Sequence, residues 1–159
     1  MIEKFIKLSE DLCFNDFEVT DDDDLIVSMF GEDKKDQFRV IGQHGSGSLI
    51  AVWDVDNKSP IVWIDTEGEA SVITSTFEEF LSLLPYYTGF IYDCIFYSKT
   101  HSEEELQQNL NKNIENYEDQ IIFRKWLKEE FNIEPAKDPV GLIKKSKNLF
   151  GNLSDLIIW

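Results

Sequence analysis

Five carboxylates at the ends of two apolar runs have the most obvious chemical potential in this chain: Asp54, Asp56, Asp65, Glu67 and Glu69. Two carboxylates at a suitable separation can act as general acid and base, and several together can hold a metal ion. Their spacing requires neither chemistry, because acidic turns in an acidic chain are usually solvated. The pattern favours a surface that contacts a cationic partner, which needs only negative charge.

A run of four aspartates, Asp21, Asp22, Asp23 and Asp24, is the second acidic feature. Adjacent like charges repel one another and disfavour regular structure, so Asn15 to Asp24 is predicted to be a loop. The run lacks the glycine and the spacing of an EF-hand loop, so it indicates at most opportunistic cation binding. We interpret it as part of the same partner-binding surface.

The remaining polar motifs do not predict a catalytic, cofactor or metal site. Gly42, Gly45 and Gly47 suggest a phosphate-binding loop, but a strand and not a helix follows them and no lysine is near, which favours a simple turn. His44 and His101 belong to no metal-ligand pattern and are interpreted as surface or hydrogen-bonded residues. Free, buried thiols are predicted at the two cysteines, which are Cys13 and Cys94.

Aromatic residues give a further candidate interface. Trp53 and Trp63 lie in apolar runs and are predicted to be core residues, although they could instead stack a ligand. A second group is harder to bury completely, and tyrosine is enriched at protein interfaces. That group comprises Tyr86, Tyr87, Phe90, Tyr92, Phe96 and Tyr97.

Composition limits the function classes. The 159 residues carry a net charge of −16, so nucleic acids and anionic membranes are unfavourable partners, whereas a basic protein would be attracted. Residues 1–120 hold 26 acidic against 8 basic residues, and residues 121–159 hold 5 against 7. No signal-peptide pattern or membrane-length apolar run is visible, so we expect a cytoplasmic protein folded as one domain over residues 1–159.

The order of elements predicts a sheet followed by helices. Residues 2–13 have helical spacing, residues 25–30 and 37–41 read as a hairpin, and Gly42 to Ser48 reads as a turn. Further strands are predicted at 49–55, 61–65 and 71–74, and the 61–65 run is apolar without alternation, which indicates cover on both faces.

Helix signals dominate after residue 75. Thr76 with Glu79, and Ser102 with Glu105, form capping boxes, and Asp138 with Pro139 opens a last helix to about residue 147. Helices are predicted at 103–116 and 119–131, and residues 90–97 favour a helix over a strand. The apolar tail after residue 152 is expected to dock on the body.

Gly45 to Leu81 resembles the SUKH superfamily, which contains bacterial immunity proteins for polymorphic toxins and fungal regulators of cell-wall assembly. The resemblance rests on a glycine-serine turn, a strand with Trp53, the apolar strand from Pro60, the turn Glu67-Gly68-Glu69, and a helix beginning at Thr76. Phe123, Trp126, Leu127 and Asp138-Pro139 are similar to the helical second half of some bacterial members, but less specifically.

The resemblance implies an α+β fold, a bent and mainly antiparallel sheet of about five strands with helices packed around it. It also implies a non-enzymatic binding protein, in the immunity case one that blocks a toxin, often a nuclease. We therefore hypothesise an immunity protein that binds a basic toxin domain through its acidic surface. A regulatory or scaffold module on the same fold is the alternative, and a small acidic hydrolase using Asp65, Glu67 or Glu69 is the third. The oligomeric state stays open.

Overall fold

The protein has the α+β fold expected from its sequence. A computed structural model describes residues 1–9, 17–97, 100–114 and 118–158. The strands are β1 (Phe17–Glu18), β2 (Phe38–His44), β3 (Leu49–Trp53), β4 (Ile61–Ile64) and β5 (Ala70–Thr74). The helices are α1 (Ile2–Ser9), α2 (Asp24–Phe30), α3 (Phe77–Leu83), α4 (Thr88–Phe96), α5 (Glu103–Ile114), α6 (Glu118–Phe131) and α7 (Pro139–Phe150). Two 3-10 helices cover Glu32–Gln37 and Leu153–Leu156.

The five strands form one antiparallel sheet in the order β1-β2-β3-β4-β5. Each strand therefore pairs with its neighbour in sequence, and successive turns alternate between the two ends of the sheet. The register shifts between Val40 and Gly42 and again between Ile61 and Val62. Such bulges bend a strand and increase its local twist. These features confirm the antiparallel sheet of about five strands.

Both faces of the sheet are buried. Along β3, Ile50 points to the first face and Trp53 to the second, and β4 is buried along its whole length, as its unbroken apolar run predicted. Buried residues of α1 and of α3 to α7 cover the first face, and α2 with Leu153 covers the second. Trp63 is fully buried and Trp53 is 6% exposed, which confirms that both are core residues.

Side-chain caps fix the starts of three helices. The Thr76 hydroxyl accepts a hydrogen bond from the Glu79 amide at 3.2 Å, and Ser102 and Glu105 cap each other in both directions. Asp138 lies one residue before Pro139, which opens α7. Its side chain accepts a hydrogen bond from the Gly141 amide at 2.9 Å. The helix starts read from these motifs are confirmed, and the helix favoured at residues 90–97 is α4.

The strand predicted at residues 25–30 is wrong, because Asp24–Phe30 is a helix. Ile26, Met29 and Phe30 are buried on its inner side, and their spacing of three and four is helical. The predicted hairpin is therefore also wrong, and the 3-10 helix Glu32–Gln37 leads directly into β2. A β-prone composition was overridden by burial of one helical stripe against the second face.

The turn predicted from Gly42 to Ser48 is shorter than expected, because β2 continues through His44. Gly42 lies inside the strand, where a Cβ atom would overlap the Phe17 ring and approach the Glu18 carbonyl oxygen to 2.9 Å. Position 42 therefore requires glycine, because β1 approaches the backbone of β2 closely there. The loop predicted from Asn15 to Asp24 likewise contains β1, and Asp24 begins α2.

Some predictions extend beyond the described residues. The helices expected at 2–13 and 103–116 are described to Ser9 and Ile114, and residues 10–13, 115 and 116 lie outside the described ranges, as do Cys13 and Asn15. Cys94 is described as a buried free thiol, as predicted. Within the described residues, no helix combines the length and apolarity needed to cross a membrane.

The C-terminal segment docks on the body, as its apolar composition predicted. Leu153 is 1% exposed in the second-face core, and the Ile158 amide donates to the Met29 carbonyl at 2.8 Å. The Ser154 hydroxyl donates to the Ala70 carbonyl and accepts from the Ala70 amide. Because β5 is an edge strand of the sheet, this clamp satisfies backbone groups that β4 does not reach.

Replacing Gly42 by alanine should lower the free energy of unfolding by about 1–3 kcal/mol, since β1 must move away from the new methyl group. Urea unfolding followed by circular dichroism measures this change. Gly89→Ala, at a position in α4, is the control. Its new methyl group would meet only the half-buried Tyr87 ring, at 3.1 Å. Equal stability of the two variants would contradict a close β1–β2 approach.

Candidate functional site

The structure separates the predicted carboxylates into two groups. Asp54 and Asp56 lie in the turn between β3 and β4, whereas Asp65, Glu67 and Glu69 lie in or beside the turn between β4 and β5. Because these turns follow one another in an antiparallel sheet, they lie at opposite ends of it. The chain therefore presents two candidate surfaces.

The first surface gathers the aspartate run, the 3-10 helix before β2 and the β3–β4 turn. Asp23 forms an ion pair with Lys35 at 3.1 Å, and the Gln37 carbonyl accepts from the Asp54 amide at 2.7 Å. These contacts bring together three segments that are separate in sequence. We call the result the acidic end, defined by Asp21, Asp22, Asp23, Asp24, Glu32, Asp33, Asp36, Asp54 and Asp56.

Charge at the acidic end is strongly unbalanced. All of its carboxylates except that of Asp23 belong to exposed residues. The three nearby lysines have partners: Lys35 pairs with Asp23, Lys34 donates to the Leu156 carbonyl, and Lys58 lies over the Phe150 ring. The hydrogen bond and negative charge of Asp23 raise the pKa of Lys35, with smaller contributions from Glu32 and Asp36. The nine carboxylates and three lysines thus give the acidic end a net charge of −6, and eight of the carboxylates belong to exposed residues.

The second surface is built on a chain of hydrogen bonds at the opposite end of the sheet. His44 Nδ1 lies 2.8 Å from the Ser46 hydroxyl, which lies 3.0 Å from the Ser48 hydroxyl. Ser48 donates to Asp65 Oδ1 at 3.0 Å. These bonds join the β2–β3 turn to the end of β4. We call this group, His44, Ser46, Ser48 and Asp65, the network end.

Burial explains why this chain of bonds exists. Ser48 has no exposed surface and Asp65 is 5% exposed, so each needs internal partners. The Glu67 amide also approaches Asp65 Oδ1, at 3.4 Å, and Gly47 closes the neighbouring turn with φ of 88°. Asp65 therefore stabilises two adjacent turns and offers little surface to a partner. Glu67 and Glu69 are exposed beside it.

Aromatic rings surround the network end. Trp63 lies 5.3 Å from the His44 ring and 5.8 Å from the Tyr92 ring, between centroids. Tyr92 in turn contacts Phe96 at 4.8 Å and Tyr97 at 5.9 Å. Burial raises the pKa of Tyr92 to about 12, and the negative charge of Asp65 contributes to the same shift. Of the predicted aromatic cluster, Tyr86 and Phe90 are buried, whereas Tyr97 is 46% exposed.

The network end differs from a Ser-His-Asp triad. The Ser46 amide donates to His44 Nδ1 at 3.2 Å, so this nitrogen serves the local turn. Asp65 bonds to Ser48 and not to the imidazole, so it does not orient a histidine base as a triad requires. Across the described ranges, no three His, Cys, Asp or Glu side chains are grouped to hold a metal ion.

A cavity of about 230 Å³ lies among α4, α5 and α7. Cys94 and Leu106 line it, and an ion pair between Lys144 and Glu103 stands beside it. Burial raises the pKa of the Cys94 thiol to about 12, with help from Asp93, so the thiol stays protonated at neutral pH. A protonated thiol is a poor nucleophile and metal ligand.

Sequence reasoning missed the network end, because its members are distant along the chain and belong to no known motif. The serines were read only as parts of a turn, and Asp65 was read as a partner-facing carboxylate or, in the hydrolase alternative, as a catalytic one. Pairing of Leu49 with Ile64 places residue 48 beside residue 65. A prediction of this strand register would have placed the β2–β3 turn beside the β4–β5 turn.

Comparison with protein-family models, curated proteins and solved structures gives no match.

The raised pKa of Tyr92 should make stability depend on pH. A tyrosine that keeps its proton in the folded state stabilises the protein fully below about pH 10, and this contribution is lost as pH rises towards 12. Urea unfolding at a series of pH values should show this fall, and Tyr92→Phe should reduce its steepness. Cys94→Ala, which removes a second raised pKa, is the comparison variant. An unchanged pH profile in Tyr92→Phe would contradict the effect.

Proposed function

We propose that this chain is a non-enzymatic binding protein of the SUKH immunity type, which neutralises a basic toxin domain by direct contact. One observation supports the proposal above the others: the acidic end assembles nine carboxylates from three segments, while its three lysines contact groups of the same chain. Free negative charge concentrated at one end of a fold attracts a cationic partner and orients its approach.

Compartment and partner class belong to the same proposal. An immunity protein of this kind acts in the cytoplasm of the cell it protects. A nuclease toxin has a basic surface for its nucleic-acid substrate, so the acidic end would compete for that surface. The overall charge of −16 disfavours nucleic acid itself as the partner.

The proposal is tested by using the full chain as bait to capture binding proteins from a lysate of its native host. The expected result is a basic protein whose toxicity is lost when the two proteins are mixed. Capture of a basic protein without toxicity would favour the regulatory module instead. A partner that binds with no net positive face would contradict the acidic-end proposal.

Neutralising the acidic end should mainly slow association. The triple variant Asp21→Asn, Asp22→Asn and Asp24→Asn keeps one side-chain oxygen at each position, so residue 22 can still accept from the residue 24 amide. We expect the association rate constant for the captured partner to fall by about tenfold at low salt, and the dissociation rate constant to change little. Stopped-flow fluorescence measures both constants.

A control with the same change in net charge separates steering from total charge. Glu104→Gln, Glu129→Gln and Glu134→Gln remove three exposed carboxylates from the helical region around α5 and α6. This variant should associate nearly as fast as the unmodified protein. Two results would refute steering by the acidic end: an association rate constant that does not change with salt concentration, or an equal fall of that constant in both triple variants.

A further inference from the structure

The cavity among α4, α5 and α7 has an uncharged floor. Cys94 of α4, Leu106 of α5 and Val140 of α7 line it, and these residues are 3%, 2% and 7% exposed. The Cys94 thiol keeps its proton at neutral pH, because burial raises its pKa to about 12. Neutral side chains from three helices thus form the floor, and such a surface favours contact with an aliphatic group.

Charged side chains stand at the mouth of the same cavity. Glu103 of α5 and Lys144 of α7 form an ion pair there, and 60% and 64% of their side-chain surface is exposed. Lys147 lies three residues after Lys144, so it falls on the same side of α7, and it also lines the cavity. Its ammonium group donates to the Ile95 carbonyl at 2.6 Å, which holds it beside the end of α4. The mouth therefore offers two ammonium groups and one carboxylate.

The ion pair between Glu103 and Lys144 can exchange partners at little cost. An exposed pair of this kind contributes little to stability, because water solvates both groups and two long side chains lose freedom when they are held together. A ligand that carries one positive and one negative group can replace each side chain as the partner of the other, so charge pairing at the mouth is conserved. A ligand with a single charge would leave one side chain of the pair without its partner, which disfavours its binding.

The cavity has the size of a site for one small molecule. Its volume of about 230 Å³ is below the roughly 300–1,000 Å³ that is typical of sites for drug-sized ligands. Two exposed polar residues, His101 and Asn148, complete its lining. An occupant that fits this shape and chemistry has a short aliphatic part, which reaches the floor, and polar groups that stay at the mouth.

We propose that this cavity binds a free α-amino acid with an aliphatic side chain of about the size of leucine. The ligand carboxylate accepts hydrogen bonds from Lys144 and Lys147, and the ligand ammonium donates to the Glu103 carboxylate. The aliphatic side chain lies on the floor formed by Cys94 and Leu106. A zwitterion has no net charge, so the overall charge of −16 does not repel it. None of these residues belongs to the acidic end, so the site is additional to the proposed contact with a protein partner.

Matched ligands test which groups the cavity recognises. In NMR titrations of the full chain, L-leucine should bind with a dissociation constant of about 1 mM or lower and shift the amide resonances of Cys94, Leu106 and Val140. 4-Methylpentanoate lacks only the ammonium group of leucine, 3-methylbutylamine lacks only the carboxylate, and glycine lacks the side chain. Each should bind at least about tenfold more weakly than leucine. The inference is overturned if none of leucine, isoleucine, valine and methionine binds, or if 4-methylpentanoate binds as tightly as leucine.

Substitutions at the mouth locate the binding. Glu103→Gln and Lys144→Gln should each weaken leucine affinity by about five- to tenfold, because each removes a charged partner of the ligand from an exposed position. Glu103→Gln should also abolish the preference for leucine over 4-methylpentanoate. The matched control is the double variant Lys125→Gln and Glu129→Gln, which removes an exposed ion pair on α6 and should leave the affinity unchanged. Unchanged affinity in both mouth variants, equal weakening in the control, or a preference that survives in Glu103→Gln would overturn the inference.

Discussion

The sheet carries apolar side chains on both faces, and the remaining elements are arranged to cover them. Trp63 anchors the first face beneath the helices that follow the sheet, and Trp53 lies on the second face with α2 and the C-terminal segment. Because each face must be removed from water, neither helical layer can be omitted. The C-terminal segment helps to cover the second face, because Leu153 is buried in the core on that side.

Because both faces are covered, the described residues that remain accessible lie at the ends of the sheet, in the terminal segments and on the outer sides of the helices. The turns at the two ends are polar and alternate in position, so the carboxylates they carry point in opposite directions. One end concentrates exposed charge from three segments. At the other, the buried carboxylate of Asp65 joins two turns, and the partly exposed ring of Tyr97 lies nearby against Tyr92 of α4. The same architecture thus places exposed charge at one end of the sheet and a buried polar network at the other.

Local patterns predicted the elements that local chemistry controls. The caps at Thr76, Ser102 and Asp138 set helix starts, because their side chains satisfy backbone amides only a few residues away. The unbroken apolar run of β4 predicted cover on both faces. Residues 25–30 were misread, because a short apolar run fits either a strand or one side of a helix, and packing against the second face decided between them.

The sequence by itself determined the α+β class, the strongly acidic character, most element positions and the core placement of both tryptophans. Only the tertiary structure divided the predicted carboxylates, buried Asp65, and joined His44, Ser46 and Ser48 to it. The physical reason is that strand register and turn position bring together residues far apart in the chain, and a carboxylate reads alike in sequence whether it is solvated or enclosed. Composition fixed how much negative charge the protein carries, and the pairing of β3 with β4 fixed where that charge can act.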